Sequence, residues 1–227
     1  MINVENRKRV LKLNIFQESA CYKKPFSFKA AETYPLPPYS TIKGLLHKVI
    51  NADKYYPMGV SVQGNYESKF NNFQTTYFYK DKGITTMPMN VHQLFNINLT
   101  IHISSEEELL KKIYNGFYNL NEAVSLGRRE DLARIDNIEF TWAKQVDIDD
   151  DDYNSYLIKN PIYIPKGQIC EELHGINYRL NNWYEKVNNI RNWHKTDVLY
   201  ANSDQEIEEG LIWVEENNPE ELIFFSD

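Results

Sequence analysis

Tyr34-Pro35-Leu36-Pro37-Pro38-Tyr39-Ser40-Thr41-Ile42-Lys43-Gly44-Leu45-Leu46-His47-Lys48-Val49-Ile50 is the stretch on which the fold turns. Its prolines stiffen the approach, and Ser40 has the chemistry of a helix N-cap. From there Ile42, Leu45, Leu46, Val49 and Ile50 recur at helical spacing, which predicts a helix with one apolar face. Gly44 falls inside that helix, where it costs about 1 kcal/mol relative to alanine. A glycine in that place points to close approach by backbone or ligand. The amides of the first turn, with Lys43 beside them, form a potential phosphate site. The same residues also describe a capped helix packed tightly on a sheet.

Outward from this helix, residues 8–17 alternate, with Leu11, Leu13 and Ile15 on one face and Lys12, Asn14 and Phe16 on the other. That is the pattern of a half-buried strand, not of an export signal, although Arg7, Lys8 and Arg9 precede it. Residues 58–63, 73–80 and 94–103 read as strands, and Asn137–Val146 as another. Between them Ser105 and Glu108 have capping-box spacing ahead of Leu109, Leu110, Ile113 and Phe117. The order is βαββαβ, the α+β ferredoxin-like or RRM-like unit, which carries many functions. Residues 64–93 are too long for a tight turn and are expected to project as an extended hairpin. The acidic run Asp149–Asp152 reads as a linker, dividing a core domain (1–148) from a small, mostly β C-terminal part (149–227) with apolar runs such as Tyr163-Ile164 and Leu222–Phe225.

The chain has 227 residues and a net charge of −7. The charge is uneven: residues 1–144 carry a balance of +5 and residues 145–227 one of −12. A basic front and an acidic back suit a polyanion bound on one side only, and also suit an acidic solvated surface. No apolar run is long enough to cross a bilayer, so no membrane partner is expected. Cys21 and Cys170 have neither metal-type spacing nor the density of a disulfide scaffold, which points to a reducing cytoplasm. No cofactor or metal is expected. The chain contains no Gly-x-Ser-x-Gly, Walker loop or His-Glu-x-x-His.

A second segment, Ser125-Leu126-Gly127-Arg128-Arg129-Glu130-Asp131-Leu132, carries two adjacent fork-shaped donors for phosphates or base stacking. It also reads as a turn whose arginines pair with Glu130 or Asp131. Taken together, Pro-Pro-x-Ser-Thr-Ile-Lys-Gly followed by Leu-Gly-Arg-Arg-Glu-Asp resembles the CRISPR-associated Cas five family of the RAMP superfamily, in its type I-B-like branch, along the whole chain. The resemblance implies a Cascade subunit in antiviral defence that grips the 5′ handle of the crRNA. It further implies contact with the Cas seven family backbone subunit and the Cas eight family large subunit, and with target DNA indirectly. The extended hairpin would act as a thumb. Ser40, Thr41, Lys43, Gly44, Gly127, Arg128 and Arg129 are the implied RNA-binding residues, with Lys69 and His92 from the hairpin beside them.

Two rival readings stay open. The type I-C branch of the same family resembles a metal-independent endoribonuclease, which needs a general acid and base near a 2′-OH. His47, His92, His102, His174 and His194 lie in no motif that matches that branch, so no catalytic residue is assigned. The other rival is a protein-only scaffold subunit.

Overall fold

The alternation at the start of the chain becomes β1 (Arg7–Ala20), an interior strand of a large, curled antiparallel sheet in the computed structural model, which describes residues 7–27, 30–150, 155–168 and 173–226. After β1 come β2 (Ala30–Ala31), α1 (Tyr39–Val49), β3 (Gly59–Lys80), β4 (Gly83–Ser104), α2 (Glu107–Tyr118), β5 (Val124–Ser125) and β6 (Leu132–Asp147). A 3-10 turn at Ile148–Asp150 leads to β7 (Tyr156–Leu157), β8 (Ile162–Pro165), β9 (Gly175–Val187), β10 (Ile190–Ala201), β11 (Glu206–Ile207), β12 (Leu211–Glu215) and β13 (Asn218–Ile223). Asp151, Asp152 and Cys170 lie outside the described residues. Among the described residues no helix is long and apolar enough to cross a membrane.

At the centre of the sheet the order is β6-β1-β4-β3, all antiparallel. Leu11, Leu13 and Ile15 of β1 join Val60, Val62, Ile101 and Ile103 in the main core, against Ile42 and Leu46 of α1 and Leu110 and Ile113 of α2. The helices themselves meet at Gly116, where a Cβ would lie 2.7 Å from Val49 Cγ1 and 2.9 Å from Val49 O. Close backbone approach is therefore the work of Gly116; at Gly44 a Cβ would meet nothing within 4 Å.

Residues beyond 155 are not set apart in space. Strands β12 and β13 extend the sheet beyond β6, and β8, β10 and β9 extend it beyond β3. A second core lies between them, formed by Ile162, Ile164, Ile207, Ile212, Leu222 and Phe224. The chain returns to both edges because β3 and β6 otherwise expose unpaired backbone.

Both expected helix caps are replaced. Pro38 occupies the cap of α1, Thr41 and Ile42 donate their N–H to its carbonyl, and Ser40 makes no capping bond. The start moves because Tyr39 is driven into the core, fully buried and edge-on to Tyr163. Ser105 donates its hydroxyl to Pro57 O instead of capping α2, which begins after Glu106. Glu107 and Glu108 still place negative charge at the positive end of that helix.

Candidate nucleic-acid interface

The approach to α1 is clamped by Tyr163, whose hydroxyl donates to Leu36 O at 2.9 Å. Complete burial pushes that phenol well above its ordinary value, so it remains a donor. From the clamp, Ser40, Lys43, Gly44 and His47 line one wall of a groove of about 690 Å³, and Asn182, Trp183, Tyr184, Glu185 and Lys186 line the other. Ser40 and Thr41 are half-buried and Gly44 is exposed. Lys43 is only 3% exposed, so its ammonium is not a surface charge reinforcing the first turn.

Residues 126–131 form a turn organised by Asp131, which is itself buried. One Asp131 oxygen accepts from Cys21 N at 3.1 Å and from Arg128 N at 2.8 Å. The Arg128 guanidinium spans both oxygens, at 2.7 Å from Nη2 and 3.1 Å from Nε. Burial alone would lower the Arg128 pKa, but the bonds and charge of Asp131 outweigh it and raise it. Gly127 has a left-handed φ of 115°, and a Cβ there would come within 2.8 Å of the Asp131 carboxylate. Thus Arg128 is the structural pair of the turn, while Arg129 is exposed and makes no ion pair among the described residues.

The two segments are linked through the strap between β1 and α1. Cys21 N bonds Asp131; next to it Tyr22 N donates to Thr33 Oγ1 at 2.9 Å, and Tyr34 N donates to Tyr22 O at 2.8 Å. Burial pushes the Cys21 thiol up to about 11, which keeps it a weak donor and not a nucleophile. Arg128 Nη1 also donates to Gln74 Oε1 at 2.8 Å, tying the turn to the outer half of the β3–β4 hairpin.

That hairpin pairs in one register from Gly59↔Ser104 to Lys80↔Gly83, interrupted at Glu67 and Asn96. Register places Lys69, opposite Leu94, on the same face as His92, opposite Asn71. The same face carries Phe73, Tyr77 and Tyr79, at 78%, 58% and 80% exposure. Gln74, which holds Arg128, points to the other face. Lys69 and His92 therefore sit together but not with the arginine turn, a separation that follows from the two-residue period of a strand.

Features with no local sequence signal complete the site's surroundings. His47, Tyr55, Trp183 and His194 form a column of stacked rings, with centroids 5.6, 5.0 and 3.7 Å apart, which fastens the β9–β10 hairpin to α1. His47 Nε2 accepts from Tyr56 N at 2.9 Å and its Nδ1 meets Lys43 O at 2.6 Å, so both ring nitrogens are engaged. On the opposite face of the sheet His102, Glu215 and Glu221 converge as cation ligands would. The cation among them is Lys12, whose Nζ lies 2.6 Å from Glu215 and 2.7 Å from Glu221.

Residues 10–208 match the family model described as CRISPR-associated protein (Cas_Cas5). No curated protein sequence gives a significant match. Among solved structures the chain is similar to one described as a CRISPR RNA-guided surveillance complex, at 11% identity and a TM-score of 0.58, with 92% of each chain covered. It is also similar to a CRISPR protein from Archaeoglobus fulgidus, at 9% identity and a TM-score of 0.53, over 95% of this chain and 98% of that one. At these identities the structural likeness speaks for the fold, and the family rests on the sequence match. Since that match spans most of its length, the chain belongs to the CRISPR-associated protein (Cas_Cas5) family.

Proposed function

We propose that this chain is a non-catalytic, cytoplasmic subunit of a type I-B-like Cascade that binds the 5′ handle of crRNA. It would join the Cas seven family backbone subunit to the Cas eight family large subunit and meet target DNA through the complex. Family membership supports the setting, as does the likeness to a CRISPR RNA-guided surveillance complex. The core also reads as ferredoxin-like: β1, α1, β3, β4, α2 and β6 follow βαββαβ order, with the strands in the spatial order fourth, first, third, second.

The observation that carries RNA binding is Arg129. It is an exposed guanidinium that makes no ion pair among the described residues, held on a turn that Arg128 and Asp131 organise. Such a group is suited to phosphate or to stacking on a splayed base. Arg129→Ala is expected to lower handle-RNA affinity several-fold and to reduce the salt slope of binding by about 1. Stability should stay within about 0.5 kcal/mol of wild type, because the side chain is exposed. Filter binding across a salt series, with a melting curve alongside, checks both. Unchanged affinity and slope would remove Arg129 from the interface.

Two of the five histidines support the non-catalytic reading. His47 has both nitrogens engaged, and His102 is buried 3.5 Å from Glu215. Neither is placed to take a proton from a 2′-OH. Purified chain incubated with repeat RNA in EDTA is expected to leave the RNA intact. Specific cleavage would establish the endoribonuclease reading instead.

A further inference from the structure

We propose that the open edge of β6, residues 134–141, takes an extended polypeptide segment of a neighbouring subunit as an added strand. This rests on the reading of the chain as a subunit of a larger complex and is independent of its RNA contacts.

Strand β6 pairs with β1 along one side, from Arg134 to Lys144. Its other side is covered only at the ends, by β5 at Leu132 and Ala133 and by β12 from Ala143 to Asp147. Just past β12, Glu216 N donates to Trp142 O at 2.8 Å, so the backbone of Trp142 faces away from β1. In an antiparallel strand each residue turns its N–H and C=O to one side and its neighbours turn theirs to the other. Phe140 and Ile138 therefore face away from β1 as well. Asn137 lies opposite Asn14 and Ile135 opposite Ile15, which leaves Asp136 as a bulge and makes Ile135 the next outward residue. Among the described residues, no backbone group of 134–141 on this side has a partner. Such a row of free donors and acceptors is a template for a further strand.

The shape and chemistry of the gap describe the segment that fits. At about 3.4 Å per residue the gap is about 27 Å long, and β5 and β12 close its two ends. A second copy's β6 would not fit, since it runs on from Leu132 to Asp147 and brings its own β5 and β12 to the same edge. A short extended segment does. On the α2 side of the sheet, Ile135, Ile138 and Phe140 are only partly buried against the core. There Phe117 and Tyr118, at the end of α2, enclose with residues 135–138 a cavity of about 220 Å³. That is below the range of small-molecule sites and suits one apolar side chain. On the other face Arg134 is paired with Asp136, whereas the exposed Glu139 makes no ion pair among the described residues. The segment is thus alternating, with apolar side chains toward α2 and a basic one beside Glu139. Main-chain bonds give it affinity, and the cavity and Glu139 give it specificity.

The test is residue-resolved hydrogen exchange on the purified full chain and on the complex assembled with its co-expressed neighbouring subunits. The Ile138 and Phe140 amides should exchange fast in the free chain and at least tenfold more slowly in the complex. The Glu139 and Thr141 amides, already turned to β1, should be slow in both. A change confined to alternate amides is the mark of an added strand. Ile138→Pro removes an outward donor and should weaken capture of the neighbouring subunit at least tenfold, with RNA affinity of the free chain unchanged. Proline also perturbs β6 itself, so Tyr118→Ala, at a residue 66% exposed, opens the cavity without that cost and should weaken capture several-fold. If the complex assembles while Ile138 and Phe140 exchange as fast as in the free chain, the edge is overturned and the subunit reading stands. Protection of these amides by handle RNA alone would give the edge to RNA. Protection that grows with concentration of the free chain, together with a doubled sedimentation mass, would give it to a second copy, and either result defeats the proposal. If the chain enters no complex, both readings fall together.

Discussion

Replacing Glu215 with alanine is expected to destabilise the fold by about 3 kcal/mol, the cost of leaving a buried charge without its partner. Glu215 is buried; Lys12 reaches it at 2.6 Å, and Thr141 donates to its other oxygen at 3.1 Å. Burial alone would raise the Glu215 pKa, but bonds from His102 and Lys12 outweigh it and hold the carboxyl far below the usual carboxylate range. Burial likewise opposes the charge on Lys12, and the two carboxylates outweigh it, so the ammonium is raised. The signs follow. A depressed carboxylate contributes its full stability above its unfolded pKa of about 4.3 and loses it as pH falls below that. A raised lysine contributes below its unfolded pKa of about 10.4 and loses that above it. Wild type should therefore lose stability steeply below about pH 4, and Glu215→Gln should show a shallower acid limb from a lower plateau. Urea unfolding at a series of pH values measures both. Equal midpoints and equal acid limbs would mean that β12 is not fastened by this charge.

How much of this was legible in the sequence depends on the range over which each signal acts. The alternation of Leu11, Leu13 and Ile15 and the helical spacing of Ile42, Leu45 and Leu46 are local, and both give the elements observed. The length of residues 64–93 marked the projecting hairpin for the same reason. The helix caps were misread because a cap competes with packing: Tyr39 gains more from burial beside Tyr163 than Ser40 would from one hydrogen bond. Arg128 and Arg129 look alike in sequence, and only the fold separates them, since Asp131 is buried under one and not the other. The second wall of the groove was invisible. It brings Trp183 and His194 to His47, across more than a hundred residues that carry no periodic trace of the contact. Nor could an acidic C-terminal part reveal that Glu215 and Glu221 turn inward onto Lys12.

Asp131→Ala carries the other large effect, and it separates the scaffold of the arginine turn from its working surface. The carboxylate satisfies Cys21 N, Arg128 N and the Arg128 guanidinium at once. Its loss leaves a half-buried cation and two backbone donors without partners, at an expected cost of about 3 kcal/mol. The damage should spread to the outer half of the β3–β4 hairpin, because Arg128 also holds Gln74. Hydrogen exchange should accordingly speed up most at Cys21, Arg128 and Gln74, and at Val60 and Ile101 in the core only by as much as global stability falls. RNA affinity should fall as well, through disorder of Arg129. Arg129→Ala provides the contrast: it should lose RNA affinity with the melting curve and the exchange pattern of wild type. Asp131→Asn keeps one accepting oxygen, so it should recover part of the stability and part of the binding together. Stability lost in Asp131→Ala with RNA affinity fully retained would break the link between this turn and the RNA. In that case Arg129 would be an ordinary surface arginine, and the handle would have to be gripped by α1 and the hairpin face bearing Lys69, His92 and Phe73.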